Sequence, residues 1–373
     1  MVRYAQRHPI RVGVIVVAGT ILGVVGFLAS RFWFTFEAVA TEDFNPQVAA
    51  VALETRTPEE VEALTEFQRR QLDAAAQQEL ATLELEQEMA QRIAEMKPTP
   101  YGNPEATSRA LPDDMFEAYL GVGSDASGVL ADAIVLALAP TDGSAPILVS
   151  IPRDLYLRNP CHEGWSRVNA GLGGCEGFAS GTELIALMVQ DYTGIEIDHV
   201  ARVTFDGFAG VVNALGGVNV CTDYPARDPR SGLDLPGGCV VADGYTTLAW
   251  VRSRHTEHLI DGTWQVVAGS DFSRQSRQQD VLFQLAGKLG SFGSLGALDS
   301  TLAAVAGSVK VDSGWSFADV VATAWRYRGV TRDGVNRISV SVTDFVTSAG
   351  AYVLSPTRHF NELLAEVYPP AAR

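Results

Sequence analysis

Lysine is nearly absent from this 373-residue chain: Lys97, Lys288 and Lys310 stand beside 25 arginines and 44 acidic residues, for a formal net charge of −16. A chain this acidic repels a polyphosphate backbone, which argues against nucleic acid as a partner. Cysteine is scarce as well. The four cysteines, Cys161, Cys175, Cys221 and Cys239, contain no C-x-x-C pair, which argues against zinc or a dithiol redox centre. No G-x-x-x-x-G-K-[ST] occurs either, so the glycines around Asp125 are not a nucleotide-binding P-loop.

One long uncharged run is present. Val12–Ser30 holds 19 mostly apolar residues between Arg11 and Arg31, enough to cross a hydrocarbon core of about 30 Å. Arg3, Arg7 and Arg11 precede it, and Phe32, Trp33, Phe34 and Phe36 follow with Glu37, Glu42 and Asp43. That asymmetry predicts a single-pass membrane protein with a cytoplasmic N-terminus and an extracytoplasmic bulk. A cleaved signal peptide is the alternative, and it exports the bulk equally well. All four cysteines then lie in an oxidising compartment and are expected as disulfides. The local pairs Cys161–Cys175 and Cys221–Cys239 are one of three open connectivities.

The chain divides into a tail (1–11), a transmembrane helix (12–30), an extracytoplasmic connector (31–112) and a last domain (113–373). Within the connector, Thr57-Pro58 reads as an N-cap with proline at the first helical position. The stretch 59–97 lacks glycine and internal proline and as one helix would reach about 58 Å. Its broken apolar stripe allows a coiled-coil homodimer or a solvated spacer arm. The last domain alternates β-like runs (Tyr119–Val122, Ile134–Ala139, Ile147–Ile151, Val200–Phe205, Val218–Val220, Leu248–Val251, Ile338–Val342) with helix-like ones (Gly181–Tyr192, Phe205–Leu215, Ser273–Leu289, Ser316–Arg328, Pro356–Val367). This order predicts an α/β fold, a central sheet sandwiched between helices.

Against so acidic a background, Ala249–Asp280 is a local exception. Arg252 and Arg254 stand two apart in a β-like run, which would place both on one strand face. Arg274, Arg277 and Gln278 follow at helical spacing just past a start signal, Ser270 or Asp271, so the positive end of a helix adds to the arginines. The cluster calls for an anion, and phosphate suits it. Arg153 and Asp154 close the apolar run Ile147–Ile151, where open α/β sheets bind ligands. Asp125, in a glycine-bounded turn, and Asp132, at the head of an apolar run, suit a hard cation such as Mg2+ or Mn2+ that bridges phosphate oxygens.

These blocks, GSD, DAIVL, SIPRD, RVNAGLGG, DHVARVTFDGFAGVVNALGGVNV, VRSRH and DFSRQSRQQ in that order, resemble the LytR-CpsA-Psr family of bacterial cell-wall ligases from about Tyr119 to Leu289. The resemblance implies a mixed sheet between helical layers and an apolar pocket for a polyprenyl chain. It assigns the pyrophosphate to Arg153, Arg252, Arg254, Arg274, Arg277 and Gln278, and magnesium to Asp125 and Asp132. Arg167 stands where many members carry the lysine of a K-I-N motif. Asp154 and Asp271 match further polar positions at the pocket mouth, and with Arg153 they are the catalytic candidates. The implied activity moves a glycopolymer from polyprenyl pyrophosphate to a peptidoglycan hydroxyl and releases polyprenyl phosphate. A polyprenyl-pyrophosphate phosphohydrolase and a non-catalytic scaffold for the lipid-linked glycan are the alternatives.

Overall fold

The computed structural model describes residues 40–54, 56–66, 111, 114–125, 127–162, 164–266, 271–290, 309–315, 327, 332–348 and 350–369. The transmembrane segment, the arm beyond residue 66 and nearly all of the helix expected at 316–328 lie outside the described residues. Among the described residues, no helix is long and apolar enough to cross a membrane.

Strand β1 (Ala40–Glu42) and helix α1 (Pro46–Glu54) come first. Strands β2 (Phe116–Ser124), β3 (Ala131–Pro140) and β4 (Ile147–Ile151) precede a hairpin of β5 (Tyr156–Asn159) and β6 (Gly164–Arg167). Helix α2 (Gly181–Thr193), strand β7 (His199–Val203) and helix α3 (Phe205–Ala214) follow. Strands β8 (Val218–Thr222), β9 (Ala226–Asp228), β10 (Leu233–Leu235) and β11 (Gly238–Ala242) lead into helix α4 (Gly244–Arg252). Strands β12 (Glu257–Ile260) and β13 (Thr263–Val266) lead into helix α5 (Asp271–Gly290). Strands β14 (Val309–Asp312), β15 (Asn336–Ser339), β16 (Val342–Val346) and β17 (Tyr352–Pro356) precede helix α6 (Phe360–Val367).

Among the described residues, seven strands form one sheet in the order β1-β14-β7-β2-β3-β4-β15. Pairing is parallel at β1/β14, β2/β7 and β4/β15 and antiparallel at the other joints, so the sheet is mixed as expected. The period-two alternation of β2 sends Phe116, Ala118, Leu120 and Val122 to one buried face and Tyr119, Gly121 and Gly123 to the other. The first face packs on Leu184, Ile185, Met188 and Val189 of α2 and on Phe360 and Leu364 of α6. Helix α2 is well delimited: Ser180 and Glu183 form a capping box, and Gly194 closes the C-terminus in the left-handed conformation. A second apolar cluster joins Val212 of α3, Val251 of α4, and Val281 and Leu285 of α5. The sheet thus lies between two helical layers.

Four expectations change. The run Leu248–Val251 is part of helix α4, not a strand. Four apolar residues cannot distinguish the two periods; the deciding signal is upstream, where Asp243 caps the helix by accepting the Thr246 N–H at 2.8 Å. Arg252 therefore ends a helix and Arg254 lies beyond it, with buried Ser253 between them. The run Ile338–Val342 is cut between β15 and β16, and helix α6 starts at Phe360, because Pro356 ends β17. The connector read at 31–112 also contributes to the domain. β1 joins the main sheet beside β14, and Leu53 and Leu64 enter the first core. Residues 58–66 are helical as the arm reading expects, yet buried Leu64 ties that first stretch to the globular body. Such short docked elements have no periodicity of their own, and only tertiary contact reveals them.

Both local disulfides are present, Cys161–Cys175 and Cys221–Cys239. The first is fully buried; the second joins directly opposed residues of β8 and β11. Non-reducing peptide mapping of secreted protein should recover these two pairs. A Cys161→Ser/Cys175→Ser variant should lose roughly 3 kcal/mol of unfolding free energy, the scale for a loop of this length. Four alkylatable thiols in the untreated protein would contradict the pairing.

Candidate active site

The second sheet face is built of small residues, Gly121, Gly123, Ala133, Ala137 and Ala201 among them. The helical layer opposite presents Phe208, Val211, Leu248, Val251 and Leu285. Because the floor carries so little side-chain volume, the two layers do not meet, and a cavity of about 1190 Å3 remains between them. Such a slot accepts a long apolar chain. At one end it reaches the carboxyl ends of β2, β4 and β7, the edge at which α/β sheets bind ligands.

Charge is concentrated there. Seven arginines and four aspartates line the cavity, so its walls carry an excess of three positive charges in a chain of net −16. Asp132 accepts from Arg153 Nη1 at 2.5 Å and lies 3.7 Å from Arg252 Nε. Asp154 stands amid Arg153 Nε (3.5 Å), Arg167 Nη1 (3.5 Å) and Arg254 Nη2 (3.7 Å). Burial pushes the Asp154 carboxyl up, but Arg153, Arg254, Arg167 and Arg274 together hold it below the ordinary carboxylate range. It is therefore ionised at neutral pH and a poor proton acceptor. Its role in this geometry is to gather guanidinium groups that would otherwise repel one another.

The arginines are held from behind. Arg252 lies over the Phe205 ring at 4.1 Å. Asp228, only 1% exposed, accepts from Ser253 Oγ at 2.7 Å and from the Arg254 and His255 N–H groups at 3.1 Å each. Helix α5 contributes buried Arg274 and half-buried Gln278 to the cavity wall, and Gln278 Nε2 donates to the Val251 carbonyl at 3.4 Å. Arg277 is different. It donates to the Ser253 carbonyl and stacks over Trp250 at 4.7 Å, and it does not line the cavity. One position along a helix from Gln278 turns it by about 100°, and in this geometry Arg277 braces the Arg252–Arg254 loop. Asp271 begins α5, and its side chain lies outside the described residues.

Asp125 turns inward on its own loop, accepting from Ser127 Oγ at 2.7 and 2.8 Å and from the Leu130 N–H at 3.3 Å. Arg202 pins that loop from β7 by donating to the Gly128 carbonyl at 2.8 Å. Among the described residues, no group of three or more histidine, cysteine or acidic side chains is placed to hold a metal ion. Asp125 and Asp132 both line the cavity, but Ser127 engages the first and Arg153 the second, so a magnesium ion there would have to displace these partners and take its remaining ligands from phosphate and water.

The sequence of residues 117–367 matches the model of the LytR_cpsA_psr family. The chain belongs to this family. The probable cell wall biosynthesis protein LcpB of Corynebacterium glutamicum is 35% identical over 187 residues, 50% of this chain and 41% of that protein; the chain thus spans less than half the length of this relative. The polyisoprenyl-teichoic acid–peptidoglycan teichoic acid transferase TagU of Enterococcus faecalis is 28% identical over 196 residues, 52% of this chain and 58% of that protein. A LytR-Csp2A-Psr enzyme from Actinomyces oris shares the fold, with a TM-score of 0.57 at 24% identity over 73% of this chain and 96% of that one.

The structure gathers Asp125, Asp132, Arg153, Asp154, Arg167, Arg252, Arg254, Arg274 and Gln278 around one cavity. Sequence reasoning missed Arg202, Asp228 and Arg230, which also line it. Locally Asp228 reads as a turn residue, accepting from the Arg230 N–H at 3.0 Å, and the partners that tie it to the Arg254 loop lie 25 to 27 residues downstream. Replacing Arg254 with alanine should weaken pyrophosphate binding by about 1.5–3 kcal/mol, the scale of a charge-assisted hydrogen bond. Calorimetric titration checks this, and wild-type affinity in the variant would remove Arg254 from the site.

Proposed function

We propose that this chain transfers a glycopolymer from a polyprenyl-pyrophosphate carrier to a hydroxyl of peptidoglycan on the outer side of the cell membrane, releasing polyprenyl phosphate. The observation that carries the reading is a deep apolar slot ending in a cationic mouth, a shape complementary to a lipid with a pyrophosphate head. Relatives named as a cell wall biosynthesis protein and a teichoic acid transferase support the class of reaction.

In this reading the polyprenyl chain lies in the slot and the pyrophosphate between Arg153, Arg252, Arg254 and Arg274. The acceptor hydroxyl attacks the glycan-side phosphorus, the P–O–P bond breaks, polyprenyl phosphate leaves toward the slot, and the hydroxyl proton passes to the leaving phosphate oxygen or to solvent. A phosphodiester then joins glycan to acceptor. The arginines neutralise charge on the transferring group and on the leaving phosphate, and their ion pairs with Asp132 and Asp154 preorganise them before substrate arrives. Arg167, more exposed than the others, meets the outermost phosphate oxygens. A magnesium or manganese ion on Asp125 and Asp132, when bound, supplies further neutralisation of phosphate charge.

The test uses full-length protein, a lipid-linked glycan and peptidoglycan, with and without EDTA. Covalent attachment of glycan together with release of polyprenyl phosphate is expected, and EDTA or Asp132→Asn should abolish both. Glycan phosphate released without attachment would make the chain a phosphohydrolase, and binding without turnover would make it a scaffold. Full activity in EDTA would remove the metal.

A further inference from the structure

The β5–β6 hairpin stands beside the mouth, and only Arg167 among its residues has a role so far. Its register sets Tyr156 opposite Arg167 and Arg158 opposite Trp165, so all four side chains share one face. The other face is buried through Leu157 and Asn159. The arginines of the shared face meet solvent, with the Arg158 side chain 54% exposed and that of Arg167 42%, and Tyr156 and Trp165 are half-buried. The Tyr156 and Trp165 rings lie side by side, 6.0 Å between centroids at 34°. Arg158 reaches Asp191 only at 3.9 Å, which leaves most of its fork available to a ligand.

We propose that this face is a binding platform for the acceptor: a glycan strand that carries carboxylates. The proposal deepens the transfer reading and rests on it. Two adjacent aromatic rings suit the apolar C–H faces of successive sugar rings, while hydroxyl and carboxylate groups at the sugar edges suit guanidinium forks. Two exposed arginines on a chain of net −16 favour an anionic strand over a neutral one. Direction agrees. With the leaving polyprenyl phosphate withdrawing into the slot, the attacking hydroxyl comes from the solvent side. Trp165 is two residues, about 7 Å along the strand, from the Arg167 that lines the mouth. A strand lying on Tyr156 and Trp165 therefore delivers a sugar hydroxyl to the phosphate.

The experiment measures binding of lysozyme-solubilised peptidoglycan fragments to the full-length protein, beside binding of polyprenyl pyrophosphate. Trp165→Ala and Arg158→Gln should each weaken fragment binding about tenfold, with lipid pyrophosphate affinity unchanged. Trp165→Phe should retain fragment binding, which separates loss of the ring from loss of the fold. Neutral chitin oligosaccharides should bind wild type more weakly than the acidic fragments. Wild-type fragment affinity in both the Trp165→Ala and Arg158→Gln variants overturns the platform while leaving the transfer reading intact. The expected losses in a protein that never attaches glycan to peptidoglycan would keep the platform as a glycan site and defeat the transfer reading instead.

Discussion

Asp154→Ala is expected to lose about 1–3 kcal/mol of unfolding free energy at neutral pH, because buried Arg153 keeps Asp132 as a partner while Arg167 and Arg254 retain partial access to water. The carboxylate lies within 3.7 Å of three guanidinium groups and is only 16% exposed, so water cannot replace it cheaply. The pH dependence follows from the direction of its shift. A carboxyl whose folded-state pKa is depressed contributes stability fully above its unfolded value, near 3.9, and loses it as pH falls through the folded value. The difference between wild type and variant in urea titrations should therefore be flat from pH 8 to about pH 5 and shrink only in stronger acid. Inorganic pyrophosphate should stabilise the variant more than wild type, because an added anion takes the vacated place among the arginines. Equal stability of the two proteins at pH 7 would show that the arginines do not depend on Asp154.

The second large effect concerns the slot. Ala133 and Ala201 flank Gly123 and Gly121 on the cavity floor, paired to them across β3/β2 and β7/β2. Replacing both with phenylalanine places two rings in open space just behind the mouth, so the packed core on the other face is untouched. The rings should exclude at least four methylenes of a bound lipid, about 3 kcal/mol and hence roughly 100-fold in affinity. Inorganic pyrophosphate, which needs only the arginines, should bind as before. Titration with a polyprenyl pyrophosphate and with inorganic pyrophosphate separates the two. Equal loss for both ligands would mean that the rings deform the mouth, and unchanged lipid affinity would mean that the lipid lies elsewhere.

Much of the site was legible before the fold. Arg153 and Asp154 follow the last strand residue of an apolar run, and the exit of a strand is readable from a period-two pattern that stops. Arg274 and Gln278 were legible because their i, i+4 spacing falls on one helix face whatever the tertiary context. Arg277, at i+3 of the same pattern, contacts the Ser253 carbonyl and Trp250: spacing shows which residues neighbour one another along a helix but not which way that helix is rotated against its surroundings. Arg252 and Arg254 both line the cavity, but from a helix end and the loop after it, not from one strand face. A run of four apolar residues satisfies strand and helix alike, and the Asp243 cap that decides between them lies five residues before the run.

By itself, the sequence determined the alternation of strands and helices, the export signal as an expectation, the arginine cluster within an acidic chain, and the ordered motifs that mark the family. These are local properties, carried by period, spacing and composition. The tertiary structure alone decided that β1 joins the sheet from the connector, that Asp228 holds the Arg254 loop, and that Arg277 braces it. It also decided that glycines and alanines spread over β2, β3 and β7 line a common cavity. Each of those facts depends on partners distant in the chain. A small residue in a strand looks like a weakness until the neighbouring strands and the facing helices show that its missing volume adds to theirs.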